Sequence, residues 1–81
     1  MTRLEIRNLP AEEIRRDLLR ELGGAFEGAC VTGDGWRVEF VEGAPARLGR
    51  MVIPVLFLDI SGEREAEVAA YLRRRTMRGG G

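Results

Sequence analysis

Between Arg50 and Asp59 the chain reads Met51-Val52-Ile53-Pro54-Val55-Leu56-Phe57-Leu58 without a single charge. The run is too short to cross a bilayer, which takes ~20 apolar residues. Its β-branched and aromatic content reads as a strand. Successive strand side chains point to opposite faces. Here the even set (Val52, Pro54, Leu56, Leu58) and the odd set (Met51, Ile53, Val55, Phe57) are both apolar. Either the fold covers both faces or a partner covers one. Pro54 withholds a ladder N–H and marks an edge or a bulge.

The remaining pattern fixes the architecture that must absorb this run. Thr2 to Arg7 alternates, with Leu4 and Ile6 on one face and Arg3, Glu5 and Arg7 on the other, as a half-buried strand does. A helix is expected from Pro10, with Glu12 and Glu13 at its positive end and Ile14, Leu18 and Leu22 as its stripe; Gly23-Gly24 ends it. Ala25 to Thr32 reads as a second strand with Phe26, Gly28 and Cys30 toward the core. Gly33-Asp34-Gly35 forms a hairpin turn, and Gly35 to Glu42 follows with Trp36, Val38 and Phe40 inward. Gly43 to Gly49 is a loop with room for a short extra strand. After the apolar strand, Ser61 is placed to cap a final helix with Val68, Ala69, Tyr71 and Leu72 as its stripe and arginines late. The expected fold is α+β, a two-layer sandwich of β-α-β-β-β-α order with both helices on one face of an antiparallel sheet. Residues 1–75 form one domain and 76–81 a flexible glycine-rich tail.

Composition removes most chemistry. The 81 residues include thirteen basic and thirteen acidic side chains, every basic one an arginine, with no Lys and no His. Zero net charge offers no field to draw in nucleic acid. Without His or Lys there is no Ser-His-Asp machinery, no Schiff base and no common metal ligand set. No catalytic residue, metal or cofactor is expected. The single Cys30 forbids an internal disulfide and reads as a small buried hydrophobe. The opening residues carry no apolar run of a signal peptide, so a cytoplasmic protein is expected. Scarce amides fit a thermophilic source.

Whichever set of the apolar strand faces the helices, the other joins Ala29, Val31 and Val41 on the open face. A contiguous apolar patch of that kind marks an interaction site. The expected contact residues are Met51, Val52, Ile53, Val55, Leu56, Phe57, Leu58, Val31 and Val41, and the expected partner is a second copy of the chain or another protein. A small apolar ligand held between sheet and helix, beside Trp36, is the alternative. Asp59 reads as the exit of the apolar strand to solvent. Arg73, Arg74, Arg75 and Arg78 would suit an anion, although such a run also complements the negative end of its own helix. Arg47 and Arg50 invite the same double reading.

Leu4-Glu5-Ile6-Arg7-Asn8-Leu9, followed by helix and hairpin, resembles the opening of an RNA-recognition motif over the first half of the chain. Glu5 stands where that family stacks a base on an aromatic, and no room is left for its second crossover helix, so RNA is not expected as a partner. In element order and size the whole chain is similar to a TATA-box-binding-protein-like, helix-grip layout. It looks like the small accessory domain attached to molybdopterin-synthase-type sulfur carriers in thermophilic bacteria, a resemblance that implies fold and no functional residue. Arg78-Gly79-Gly80-Gly81 has the chemistry of the bare Gly80-Gly81 end that ubiquitin-like sulfur carriers present to an activating enzyme. Those carriers place a β-grasp strand ahead of the tail, where a helix is expected here, so the run also reads as a frayed terminus of small residues.

Overall fold

The protein is described by a computed structural model over residues 1–7 and 9–77. Thr2–Ile6 is strand β1, and its alternation sends Leu4 and Ile6 inward. Helix α1 (Ala11–Leu22) starts behind Pro10, which sits at the N-cap with φ −73° and ψ 150°. The Pro10 carbonyl accepts the N–H groups of Glu13 and Ile14 at 3.2 and 3.4 Å. Gly23 closes the helix in the left-handed region at φ 69°, where its N–H and that of Gly24 donate to the Leu18 carbonyl, the cap that glycine makes without a Cβ penalty.

Ala25–Thr32 is not one strand. Gly28 takes φ 62° and the chain reverses there, giving β2 (Ala25–Glu27) and β3 (Cys30–Gly33) as an antiparallel pair with Phe26 opposite Val31. The reversal moves Val31 into the core and leaves Phe26 62% exposed. Strand β4 (Trp36–Glu42) buries Trp36, Val38 and Phe40 as the alternation predicts.

The apolar run is also divided. Ala46–Leu48 (β5) and Met51–Ile53 (β6) pair only with each other around Gly49, which takes φ 62°. Pro54 and Val55 lie outside any strand, and β7 (Leu56–Ser61) then enters the main sheet. A proline that cannot donate to a ladder ends β6 and lets the chain change sheets. The ladder continues beyond Asp59 to Ser61, and Ser61 therefore caps no helix. Helix α2 (Glu65–Met77) starts after Gly62, and takes in Thr76 and Met77, which the sequence reading gave to the tail.

The main sheet has the order β1-β7-β4-β3-β2 with every adjacent pair antiparallel. With the two helices it forms the expected α+β architecture, plus the small β5–β6 hairpin. Ile14 and Leu18 from α1 and Val68 and Leu72 from α2 share one buried cluster with Val31, Val38, Leu58 and Ile60. Both helices therefore cover the same face.

The opposite face is not the apolar patch expected. Because Leu56, Leu58 and Ile60 point to the helices, only Phe57 of the apolar run reaches the open face, between Glu5 of β1 and Val41 of β4. Gly43 seals it: a Cβ there would stand 2.5 Å from Phe57 Cε2. Arg3 covers the ring from the other side, its guanidinium carbon 4.8 Å from the centroid, and donates to both Asp59 oxygens at 2.6 and 2.8 Å. Cys30 is buried and accepts from Arg37 Nη2 at 3.2 Å. Self-association through residues 51–58 loses the surface on which it rested.

Candidate functional site

One end of the molecule gathers the features that chemistry could use. Ile6, where β1 ends, lies opposite Leu56, where β7 begins, and Glu42 closes β4 beside the same residue. The chain leaves this end at Gly43 into the hairpin and returns at Pro54, while α1 starts here at Ala11. Helix α2 starts at the far end, where Thr2 Oγ1 donates to Glu65 and the Arg64 N–H donates to the Gly35 carbonyl at 2.8 Å. Its thirteen residues carry the chain back by roughly 20 Å at 1.5 Å per residue.

That return is fixed by an ionic cluster. Arg75 Nε donates to Asp17 Oδ2 at 2.5 Å and its Nη2 to Glu13 Oε1 at 2.8 Å, while Arg20 Nη2 donates to Asp17 Oδ1 at 3.0 Å. Asp17 is 4% exposed, and these partners supply the hydrogen bonds its buried carboxylate requires. The Glu13 hydrogen bond first, then that to Asp17, holds the Arg75 guanidinium above its ordinary value. Burial pushes the Tyr71 phenol up, with Asp17 and Glu21 adding to it. Thr76 Oγ1 donates to the Leu72 carbonyl at 2.8 Å, a back-bond that satisfies one acceptor of the last turn.

Two grooves flank this junction. One, of about 640 Å³, runs between the helices and is lined by Glu13, Asp17, Glu21, Tyr71 and Arg75. The other, of about 590 Å³, lies at the root of the hairpin against Ile6, Pro10, Pro45, Pro54 and Val55. Leu9 lines both, so the groove beside the last turns of α2 adjoins the groove at the hairpin root.

The residues singled out from the sequence are dispersed. Val31, Val55, Leu56 and Leu58 are buried within this one chain, Ile53, Phe57 and Val41 are half-buried, and Met51 and Val52 are exposed on the hairpin. Of the arginine run, Arg75 is taken by Glu13 and Asp17, Arg73 and Arg74 are exposed, and Arg78 lies outside the described residues, as do Gly80 and Gly81. Trp36 is packed against Gly24 and Gly33, and lines neither groove. Among the described residues no cluster of three or more His, Cys, Asp or Glu is placed to hold a metal ion, and no helix is long and apolar enough to cross a membrane.

The Glu13–Asp17–Arg75 cluster escaped the sequence reading, yet left a signal. Arg75 continues the stripe of Val68 and Leu72 at helical spacing, and Glu13 and Asp17 stand one residue before Ile14 and Leu18.

Comparison with known proteins decides between the readings. No curated protein matches the chain. The profile of a protein family described as "Archaeal MoaD-like protein" matches residues 2–81, a family of ubiquitin-like sulfur-carrier type. The match overturns the likeness to a TATA-box-binding-protein-like accessory domain, since it covers this chain itself and takes in the glycine run. It likewise displaces the self-associating apolar-strand protein and the helix-grip ligand binder as readings of the whole. With nearly its full length inside that match, the chain belongs to the archaeal MoaD-like protein family.

Proposed function

We propose that the chain is a sulfur carrier, a protein substrate that bears its cargo on the carboxyl group of Gly81. The observation that carries the reading is a family match extending through Arg78-Gly79-Gly80-Gly81. An enzyme that activates a terminal carboxylate must pass it through a narrow channel. Glycines offer no side chain to obstruct it and no Cβ to restrict the backbone. That requirement concerns the tail alone. Helix α2 in place of a β-grasp strand alters what the tail is rooted in, not what can be threaded. In this reading the domain that ends with α2 is the body and the partners are proteins that act on the tail. Its dependence on ATP places the work inside the cell.

The chemistry is that of carboxylate activation. A Gly81 carboxylate oxygen attacks the α-phosphorus of ATP, pyrophosphate leaves, and an acyl-adenylate forms. Hydrosulfide then attacks the carbonyl carbon, the bond to the AMP oxygen breaks, and a thiocarboxylate remains with AMP released. No electron is gained or lost. The chain supplies neither general base nor metal; both come from the activating enzyme.

The test uses a chain ending at Gly81, a purified adenylating enzyme from the same organism, and Mg-ATP. Carrier-dependent exchange of pyrophosphate into ATP is expected, and with sulfide the intact mass should rise by the difference between sulfur and oxygen. Deleting Gly80 and Gly81 should abolish both signals. Absence of exchange with the complete tail would overturn the reading. Isopeptide linkage to lysines of other proteins would replace carriage by modification.

A further inference from the structure

We infer that the β5–β6 hairpin is the surface by which this chain docks on the enzyme that activates its tail, and that the enzyme offers an apolar groove rimmed by carboxylates. The inference rests on the carrier reading. Three large apolar side chains on this short arm are open to solvent: Leu48 is 61% exposed, Met51 64% and Val52 56%. Leu48 pairs with Met51 and shares one face of the arm with it, while Val52, paired with Arg47, lies on the other, so a groove that encloses the arm meets apolar surface on both sides.

The charge of the arm selects the partner. Between Glu42 and Asp59 the sequence has no acidic residue, while Arg47 and Arg50 both lie on the hairpin. Neither makes an ion pair with a described residue, and the sequence places no carboxylate on the arm to neutralise them. Two unneutralised guanidinium groups, Arg47 across from Val52 and Arg50 at the turn, fit a groove with apolar walls and carboxylates at its rim. They also oppose a second copy of the same arm, because a two-fold contact would bring like charges together.

Position completes the argument. The hairpin root shares Leu9 with the groove at the end of α2, so an enzyme drawing in the tail from Met77 onward works at the end from which the arm projects. The strands of the arm pair only with each other, leaving their outer backbone edges available for hydrogen bonding. A contact of this size falls in the small, transient class, which suits a carrier that must leave after each cycle.

The experiment measures pyrophosphate exchange against carrier concentration for wild type, Met51→Ser/Val52→Ser and Arg47→Glu/Arg50→Glu. All four side chains are exposed, and thermal melts confirm that both variants fold; Leu48→Gln replaces the apolar variant if it does not. Each variant should raise KM by ~10-fold or more, the loss of one buried anchor, and leave kcat within about twofold. Added salt should raise the wild-type KM and affect the charge-reversed variant less. Unchanged KM in both variants, or a loss confined to kcat, overturns the docking role while the carrier reading stands. Failure of wild type to support exchange removes the carrier reading, and the docking role with it.

Discussion

Arg75 on α2 and Asp17 on α1 are joined at 2.5 Å across the two helices, 58 residues apart in the chain, and no other described cation but Arg20 reaches that buried carboxylate. Removing Arg75 leaves Asp17 half-compensated out of water, whereas removing both leaves two apolar helix faces. Arg75→Leu should therefore lower the melting midpoint more than the double variant Asp17→Leu/Arg75→Leu, which should recover most of the loss. Additive losses in a double-mutant cycle would show that the two groups do not act as a pair.

Trp36 contributes through packing alone. Its ring lies where a Cβ on Gly24 or Gly33 would go, and its Nε1 is buried with no hydrogen-bond partner among the described residues. Trp36→Ala should cost roughly 3–5 kcal/mol in urea unfolding. Trp36→Phe, which loses volume but no hydrogen bond, should cost less than half of that. Equal losses would reveal an indole N–H that is satisfied.

Acid should weaken the fold through three paired carboxylates. Hydrogen bonds from Arg3, Thr2 and Arg64 hold Asp59, Glu65 and Glu67 respectively below their ordinary values of 3.8, 4.5 and 4.5. A lowered folded-state value means that the unfolded chain binds the proton more readily. The contribution is present in full above the ordinary values and disappears as pH falls through the folded ones. Stability followed by urea melts should decline below about pH 4.5, and Asp59→Asn should make the decline shallower. Glu67 is open to water and Asp59 and Glu65 only partly so, so salt should reduce the effect most at Glu67.

Two glycines with positive φ should respond differently. Gly62 sits at φ 109°, where a Cβ would also strike the backbone of Gly35 and Trp36, while Gly49 at φ 62° faces open space. Gly49→Ala should cost about 1 kcal/mol for the left-handed backbone. Gly62→Ala combines strain with a clash at the turn that launches α2 and should exceed ~2 kcal/mol. Similar values for both would mean that the Gly62 turn can move aside.

The sequence was legible where its signals were local. Alternation marked β1 and β4, Gly23 marked the end of α1, and the stripe of Val68 and Leu72 marked α2. Each depends only on residues within a few positions. Gly28-Ala29 leaves little mark in the pattern, because a two-residue reversal between Ala25 and Thr32 does not interrupt a run of strand-forming side chains. Pro54 was noticed, but a proline at an edge and a proline that ends one strand before another begins look alike until pairing partners are known. Asp17 and Arg75 were invisible as a pair because nothing local links α1 to α2. The glycine tail has the chemistry of a carrier's end, and the helix expected before it points the other way. That helix is present, and family membership nevertheless favours the tail.

An arm that carries both bare strand edges and exposed apolar side chains is a hazard whenever nothing covers it. Neighbouring molecules in a crowded cell could stack such arms into filaments, and what holds them apart is the repulsion of Arg47 and Arg50 together with the brevity of β5 and β6. Neutralising both guanidinium groups with alanine would thus trade solubility for stickiness; under the proposed docking role the same two charges hold free copies apart and steer the encounter.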